Sequence, residues 1–143
     1  MIKATLGFIY TPLLDQVLLI QKSKPVFHKG LLNGLGGKTD PGETAAQCIA
    51  REVQEESGLV IQEEDWLQIG SLKWTEWSVD VLVAKYSGDQ NKALSLTGDP
   101  VTWYETNKLP ANVVSNLNWL IPLGIDCLKQ QHPPQVVVTY QEK

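Results

Sequence analysis

The feature that most narrows the folds open to this chain is an abrupt change of character at residue 43. From Gly30 to Gly42, five of thirteen residues are glycine, so the backbone there must turn sharply or come close to something. Glycine then disappears until Gly58, and Ala46, Ile49, Ala50 and Val53 recur at helical spacing. Thr44 and Gln47 stand at the spacing of a capping box, which satisfies backbone N–H groups otherwise left unpaired at a helix start. The pattern predicts a helix that begins near Glu43 or Thr44, buries that apolar stripe and stops at Gly58.

The same helix carries Glu52, Glu55 and Glu56. At i, i+3 and i+4 these side chains project from one face, about a third of a turn from the apolar stripe. Like charges at that spacing repel, each i, i+4 pair costing a few tenths of a kcal/mol. A solvated acidic face is one outcome. A hard divalent cation such as Mg²⁺ or Mn²⁺ is the other, because it takes oxygen ligands and bridges to phosphates.

Around this core signal the chain alternates elements. Ile2 to Tyr10 is rich in strand formers, Thr11-Pro12 and Asp15-Gln16 mark a turn, and Val17 to Gln21 reads as the returning strand. Trp66–Lys73, Ser78–Tyr86, Val101–Glu105 and Val136–Tyr140 also read as strands. Leu117, Leu120, Ile121, Gly124, Ile125 and Leu128 define a second helix bent or begun by Pro122. Mixed strands with two main helices predict an α/β fold with a mixed sheet covered on both faces, in one domain spanning residues 1–143.

The formal net charge of −4 argues against a nucleic acid polymer as partner, since polymers reward a basic face. It leaves room for a small phosphorylated ligand whose charge metal ions screen. No run approaches the ~20 apolar residues of a membrane-spanning helix. Cys48 and Cys127 are too few for a disulfide framework and read as reduced thiols. The N-terminal stretch lacks the basic start and cleavage site of a signal peptide, so a cytoplasmic monomer or homodimer is expected.

Gly37, Glu43, Arg51-Glu52-Val53, Glu55-Glu56 and Gly58-Leu59 together match every specified position of one signature. Nine positions over 23 residues agree, and the chance of an accidental match is on the order of 10⁻⁸ to 10⁻⁷ at average residue frequencies. On these residues the chain resembles the Nudix hydrolases. The resemblance implies the Nudix α/β/α sandwich and hydrolysis of a nucleoside diphosphate linked to another group. By position, Glu52, Glu55 and Glu56 are implied metal ligands for Mg²⁺ or Mn²⁺, with the carbonyl of Gly36 or Gly37 completing the site. Glu43 and Arg51 match the family's supporting acid and base. Glu55, Glu56 or Asp99 would take the water proton.

Two further likenesses concern substrate. Leu32-Asn33-Gly34-Leu35-Gly36-Gly37-Lys38 is similar to the Trp-Asn-Gly-Phe-Gly-Gly-Lys stretch of animal oxidised-purine triphosphatases, with Leu32 in place of Trp. Leu109-Pro110-Ala111-Asn112 is similar to the Pro-Pro-Ala-Asn of bacterial MutT. In both, the Asn reads a base, and an amide offers the donor and acceptor that a purine edge needs. Trp77 or Trp119 is the expected stacking partner. Lys22, Lys24, His28 and Lys38 are candidates to meet phosphates. The resemblance implies hydrolysis of a nucleoside triphosphate, 8-oxo-dGTP among the candidates, to monophosphate and pyrophosphate. Its rivals are action on ADP-ribose or a nucleotide sugar, and a sensor that binds nucleotide without turnover.

Overall fold

The strands form a seven-stranded mixed sheet in a computed structural model that describes residues 1–142. β1 (Ile2–Tyr10) is central. It pairs in parallel with β5 (Trp77–Lys85) along its whole length, and antiparallel with β2 (Gln16–Gln21) only at Ile9 and Tyr10. β2 then diverges and pairs with β3 (Leu32–Asn33) on that side and with β6 (Val101–Glu105) on its other side. β4 (Leu67–Lys73) joins β5 antiparallel, and β7 (Val136–Thr139) closes the far edge parallel to β4. The sequence placed β4 and β5 within one residue of these bounds.

Side-chain alternation divides the core into two layers, as a sheet buried on both faces requires. Ile9, Leu18, Ile20, Leu82 and Ala84 meet helix α1 (Ala45–Ser57) with Ile49 and Val53. Phe8, Tyr10, Val17, Leu19, Val81 and Val83 share the other layer with Leu117, Leu120 and Ile121 of α2 (Leu117–Lys129). The Tyr10 hydroxyl donates to the Ile121 carbonyl at 2.9 Å, tying the central strand to the turn of α2 that holds Pro122. Burial pushes the Tyr10 phenol well above its ordinary value.

α1 begins and ends where its residues dictate. Thr44 Oγ1 accepts from the Gln47 N–H while the Gln47 side chain accepts from the Thr44 N–H, completing the capping box. Gly58, at φ 78°, closes the helix in the left-handed region. The buried face differs in part from the expected stripe: Cys48, Ile49 and Val53 are buried, Ala46 is half-buried, and Glu56 and Ser57 are buried as well. Both cysteines are free, buried thiols. Among the described residues no helix is long and apolar enough to cross a membrane.

The half of β1 that β2 abandons is filled by Leu35–Thr39. Thr5 N–H donates to Gly37 O at 2.9 Å, Gly7 N–H to Leu35 O at 2.6 Å, and Thr39 N–H to Lys3 O at 2.9 Å. This strip brings the glycine loop beside α1. α1 itself approaches β1 closely because Gly7 has no side chain: a Cβ there would lie 2.5 Å from Ile49 Cδ1 and 3.2 Å from the Trp66 ring. Gly7→Ala should overpack this contact and lower stability by about 1–3 kcal/mol. Urea unfolding checks this, and in a double-mutant cycle Ile49→Ala should cost less in the Gly7→Ala background than in the parent.

Candidate active site

Glu56 is the centre of the arrangement. It is 8% exposed, and its Oε1 accepts the Gly36 N–H at 2.9 Å. Gly36 can offer that group because it sits at φ 144°, in a position where a Cβ would fall 2.1 Å from the Thr5 carbonyl oxygen. Burial pushes Glu56 up to about 7; the Gly36 hydrogen bond and Lys22 oppose the rise, and Glu52 and Asp99 add to it. The Lys22 ammonium stands 3.9 Å from Oε2. Glu52 packs against Gly37, where a Cβ would lie 2.7 Å from its carboxyl carbon. Burial raises the Glu52 carboxyl too, and Arg51 opposes the rise.

Arg51 organises the acidic residues. Its guanidinium meets Glu43 with two prongs, Nε to Oε2 at 2.7 Å and Nη2 to Oε1 at 2.9 Å. Nη1 reaches Glu52 at 3.0 Å and Glu55 at 3.4 Å, and Nε lies 3.4 Å from Asp40. Nη2 also donates to the Lys38 carbonyl. Planar, forked donors are what such a multiple contact needs, and lysine could not reproduce them. The hydrogen bonds from Arg51 hold Glu43 at about 2, well below the usual carboxylate range. Asp40 was not singled out in the sequence, because it precedes the helix and only the turn Asp40–Glu43 brings it to Arg51. Among the described residues no three acidic, His or Cys side chains converge on one point; Arg51 holds Glu52 and Glu55 in its own fork.

On the α2 side of the strip lies a cleft of about 540 Å³. Ala4 and Leu6 of β1 floor it, continuing the layer that α2 covers farther along. Leu72, Trp74, Trp77 and Val79 form one wall, and Asn33, Gly34, Gly36, Gly37 and Lys22 form another. The Gly36–Gly37 backbone and Lys22 therefore belong both to the cleft and to the glutamate cluster. Asn33 Oδ1 accepts the Gly34 N–H, while its Nδ2 makes no hydrogen bond among the described residues.

The remaining expected site residues fall in different places. Asp99 comes near enough to Glu56 for its charge to act there, because Leu94 and Leu96 N–H groups donate to the Ser57 and Glu56 carbonyls and dock the loop on the end of α1. Gly37 O is engaged with Thr5 N–H, whereas Gly36 O accepts no hydrogen bond among the described residues. The Lys38 ammonium lies 5.7 Å from the Trp77 ring centroid, over its face. Asn112 lies outside the cleft lining; its Nδ2 donates to the Gly30 carbonyl and steadies the basic loop. Trp119 is 41% exposed on α2 and also outside the cleft. In their stead the cleft takes Phe27, Asn116 and Glu142. No spacing marks these three, since they come from a loop, a helix cap and the chain end.

Residues 3–120 match the NUDIX domain, and the chain belongs to the Nudix family. It is 29% identical over 97 residues to the NAD-capped RNA hydrolase NudC of Stutzerimonas stutzeri, an alignment covering 68% of this chain and 34% of that protein. It is 31% identical over 98 residues to the oxidized purine nucleoside triphosphate hydrolase of Danio rerio, covering 65% of this chain and 61% of that one. The chain thus spans about a third of the length of NudC. An ADP-ribose pyrophosphatase structure from Streptococcus suis superposes with a TM-score of 0.71 at 16% identity, covering 97% of this chain and 98% of that one. The fold is the Nudix α/β/α sandwich.

The Glu43–Arg51 pair sets a pH dependence. Glu43 has a lower pKa folded, about 2, than its ordinary 4.5. Its stabilising contribution is therefore complete above about 4.5 and is lost as pH falls toward 2. Glu43→Gln should melt below the parent at pH 7, and the gap should close between pH 4.5 and 2. Thermal melts of both proteins across that range provide the check.

Proposed function

We propose that this chain hydrolyses a nucleoside triphosphate to the monophosphate and pyrophosphate, with a divalent cation, Mg²⁺ foremost, held at the glutamates. One observation carries the reading: a single strip of backbone, Gly36–Gly37, borders both a carboxylate cluster and a base-sized cleft with two tryptophans. A nucleotide has the same two ends, an aromatic base and an anionic chain that needs countercharge. The match to a Danio rerio protein named for oxidized purine nucleoside triphosphates supports the same class.

The donor set fits a hard cation. Glu52, Glu55 and Glu56 offer carboxylate oxygens, and Gly36 offers a carbonyl without another partner. Four carboxylates crowd one guanidinium, at 2.7 to 3.4 Å, so the cluster carries excess negative charge. When bound, the cation polarises phosphoryl oxygens and makes a bound water more acidic. The chain's own residues do the rest. Gly36 N–H fixes Glu56, Arg51 fixes Glu52, and Lys22 stands between Glu56 and the cleft to meet the phosphates. A carboxylate of the Glu55, Glu56 and Asp99 group takes the water proton. Asn33 presents its free amide N–H to the base.

Turnover assayed on nucleoside triphosphates, oxidised nucleotides, ADP-ribose and nucleotide sugars, with products identified, tests the reading. Monophosphate and pyrophosphate from a triphosphate are expected, with activity abolished by chelation. Cleavage confined to ADP-ribose or nucleotide sugars would overturn it. Glu55→Gln and Glu56→Gln should each lower kcat by about 10²-fold while the melting transition persists.

Base choice should follow the cleft. Asn33→Ala is expected to change the ratio of kcat/KM between the best triphosphate and its nearest analogue by about tenfold or more. Asn112→Ala, outside the cleft, should leave that ratio unaltered. Kinetics of both variants on two purine and two pyrimidine triphosphates decide the matter.

A further inference from the structure

Residues beyond the family match back one wall of the cleft, and one of them, Glu142, lines it. β7 extends past Thr139 far enough for the Tyr140 N–H to donate to the Lys73 carbonyl at 2.8 Å. The Tyr140 ring then stacks flat on Trp74, with centroids 4.4 Å apart and planes at 1°. Farther on, Glu142 Oε2 accepts the Thr75 N–H at 3.1 Å. Strand pairing and stacking thus set the Tyr140 hydroxyl independently of its third neighbour, Asn116. Asn116 Nδ2 donates to that hydroxyl at 3.3 Å. Its Oδ1 is buried and makes no hydrogen bond among the described residues, although Asn116 lines the cleft.

We propose that Tyr140 is a positioning residue for base choice: by holding the Asn116 amide at its NH₂ end, it reserves the carbonyl oxygen for an N–H on the edge of a bound base. This rests on the reading of the cleft as a nucleotide's base site. A buried carbonyl left unpaired is costly, and a ligand N–H supplies the missing partner. Asn33, opposite in chemistry, keeps its Nδ2 donor free on the same cleft. The favoured base therefore bears both an N–H donor and an acceptor, as adenine and guanine do. A purine without any ring or exocyclic N–H lacks half of the match.

Binding of nucleoside monophosphates, followed by tryptophan fluorescence, tests this without turnover. The probes are adenosine, guanosine and purine riboside monophosphates, the last being free of base N–H donors. The unaltered chain should bind adenosine or guanosine monophosphate about tenfold tighter than purine riboside monophosphate. Tyr140→Phe keeps the ring and its stack, and should bring that ratio close to one with purine riboside binding unchanged. Asn116→Asp added to Tyr140→Phe should restore the preference, because a carboxylate accepts through either oxygen. Asn116→Ala alone should also remove the preference, which keeps the test decisive if Tyr140→Phe misfolds.

An unchanged ratio in Tyr140→Phe or in Asn116→Ala would overturn the proposal. So would equal weakening of all three ligands, a failure of Asp to restore the preference, or an absence of preference or of binding in the parent. A chain that binds with the expected ratios yet hydrolyses no triphosphate would defeat the functional reading and leave this one standing.

Discussion

Everything at the site depends on the strip Leu35–Thr39 taking the hydrogen bonds of β1 that β2 gives up. A strand pair that splays this way would normally expose unpaired backbone, which is costly. Here the gap admits a segment that must pass under α1 and beside the cleft at once. Gly36 and Gly37 are the residues where side chains would collide, with the Thr5 carbonyl and the Glu52 carboxylate respectively. The absence of two Cβ atoms thereby determines where the carboxylates sit. It also explains how an acidic residue comes to be buried: Glu56 exchanges water for one backbone N–H and a lysine ammonium 3.9 Å away.

The charge arrangement follows from that geometry. Arg51 is surrounded by Asp40, Glu43, Glu52 and Glu55, and one guanidinium neutralises a quarter of that charge. Pairing differs within the cluster. Glu43 takes the strongest, two-pronged contact and is held low, whereas Glu52 and Glu56 are pushed up by burial. Glu43 is thus spent on holding Arg51, and the raised pair is left undercompensated next to the cleft. Such a division suits the role proposed for α1, which is to stay folded while offering carboxylate oxygens to a cation.

Much of this was legible in the residues. The capping box and the stop at Gly58 are local, so the helix bounds could be read directly. Strand alternation placed β1, β4, β5 and β6 within a residue. What escaped reading is non-local. The splay between β1 and β2 depends on pairing over about thirty residues. The Pro-Ala-Asn likeness marks Asn112, yet it is Asn116, four residues on and unmarked in the sequence, that lines the cleft. Tyr140 ends a strand the sequence marks, but its place beside Trp74 follows only once β7 pairs with β4.

The central claim is that one strip of backbone joins a cation site to a base site. A crystal structure of the chain with Mn²⁺ and an α,β-methylene purine triphosphate analogue tests it most directly, because the anomalous signal locates the metal independently of the ligand. The account predicts a metal peak bounded by Glu52, Glu56 and the Gly36 carbonyl, with the base in the cleft beside Trp74, Trp77 and Asn33. A metal bound away from those oxygens, or a base lying outside that cleft, would contradict it.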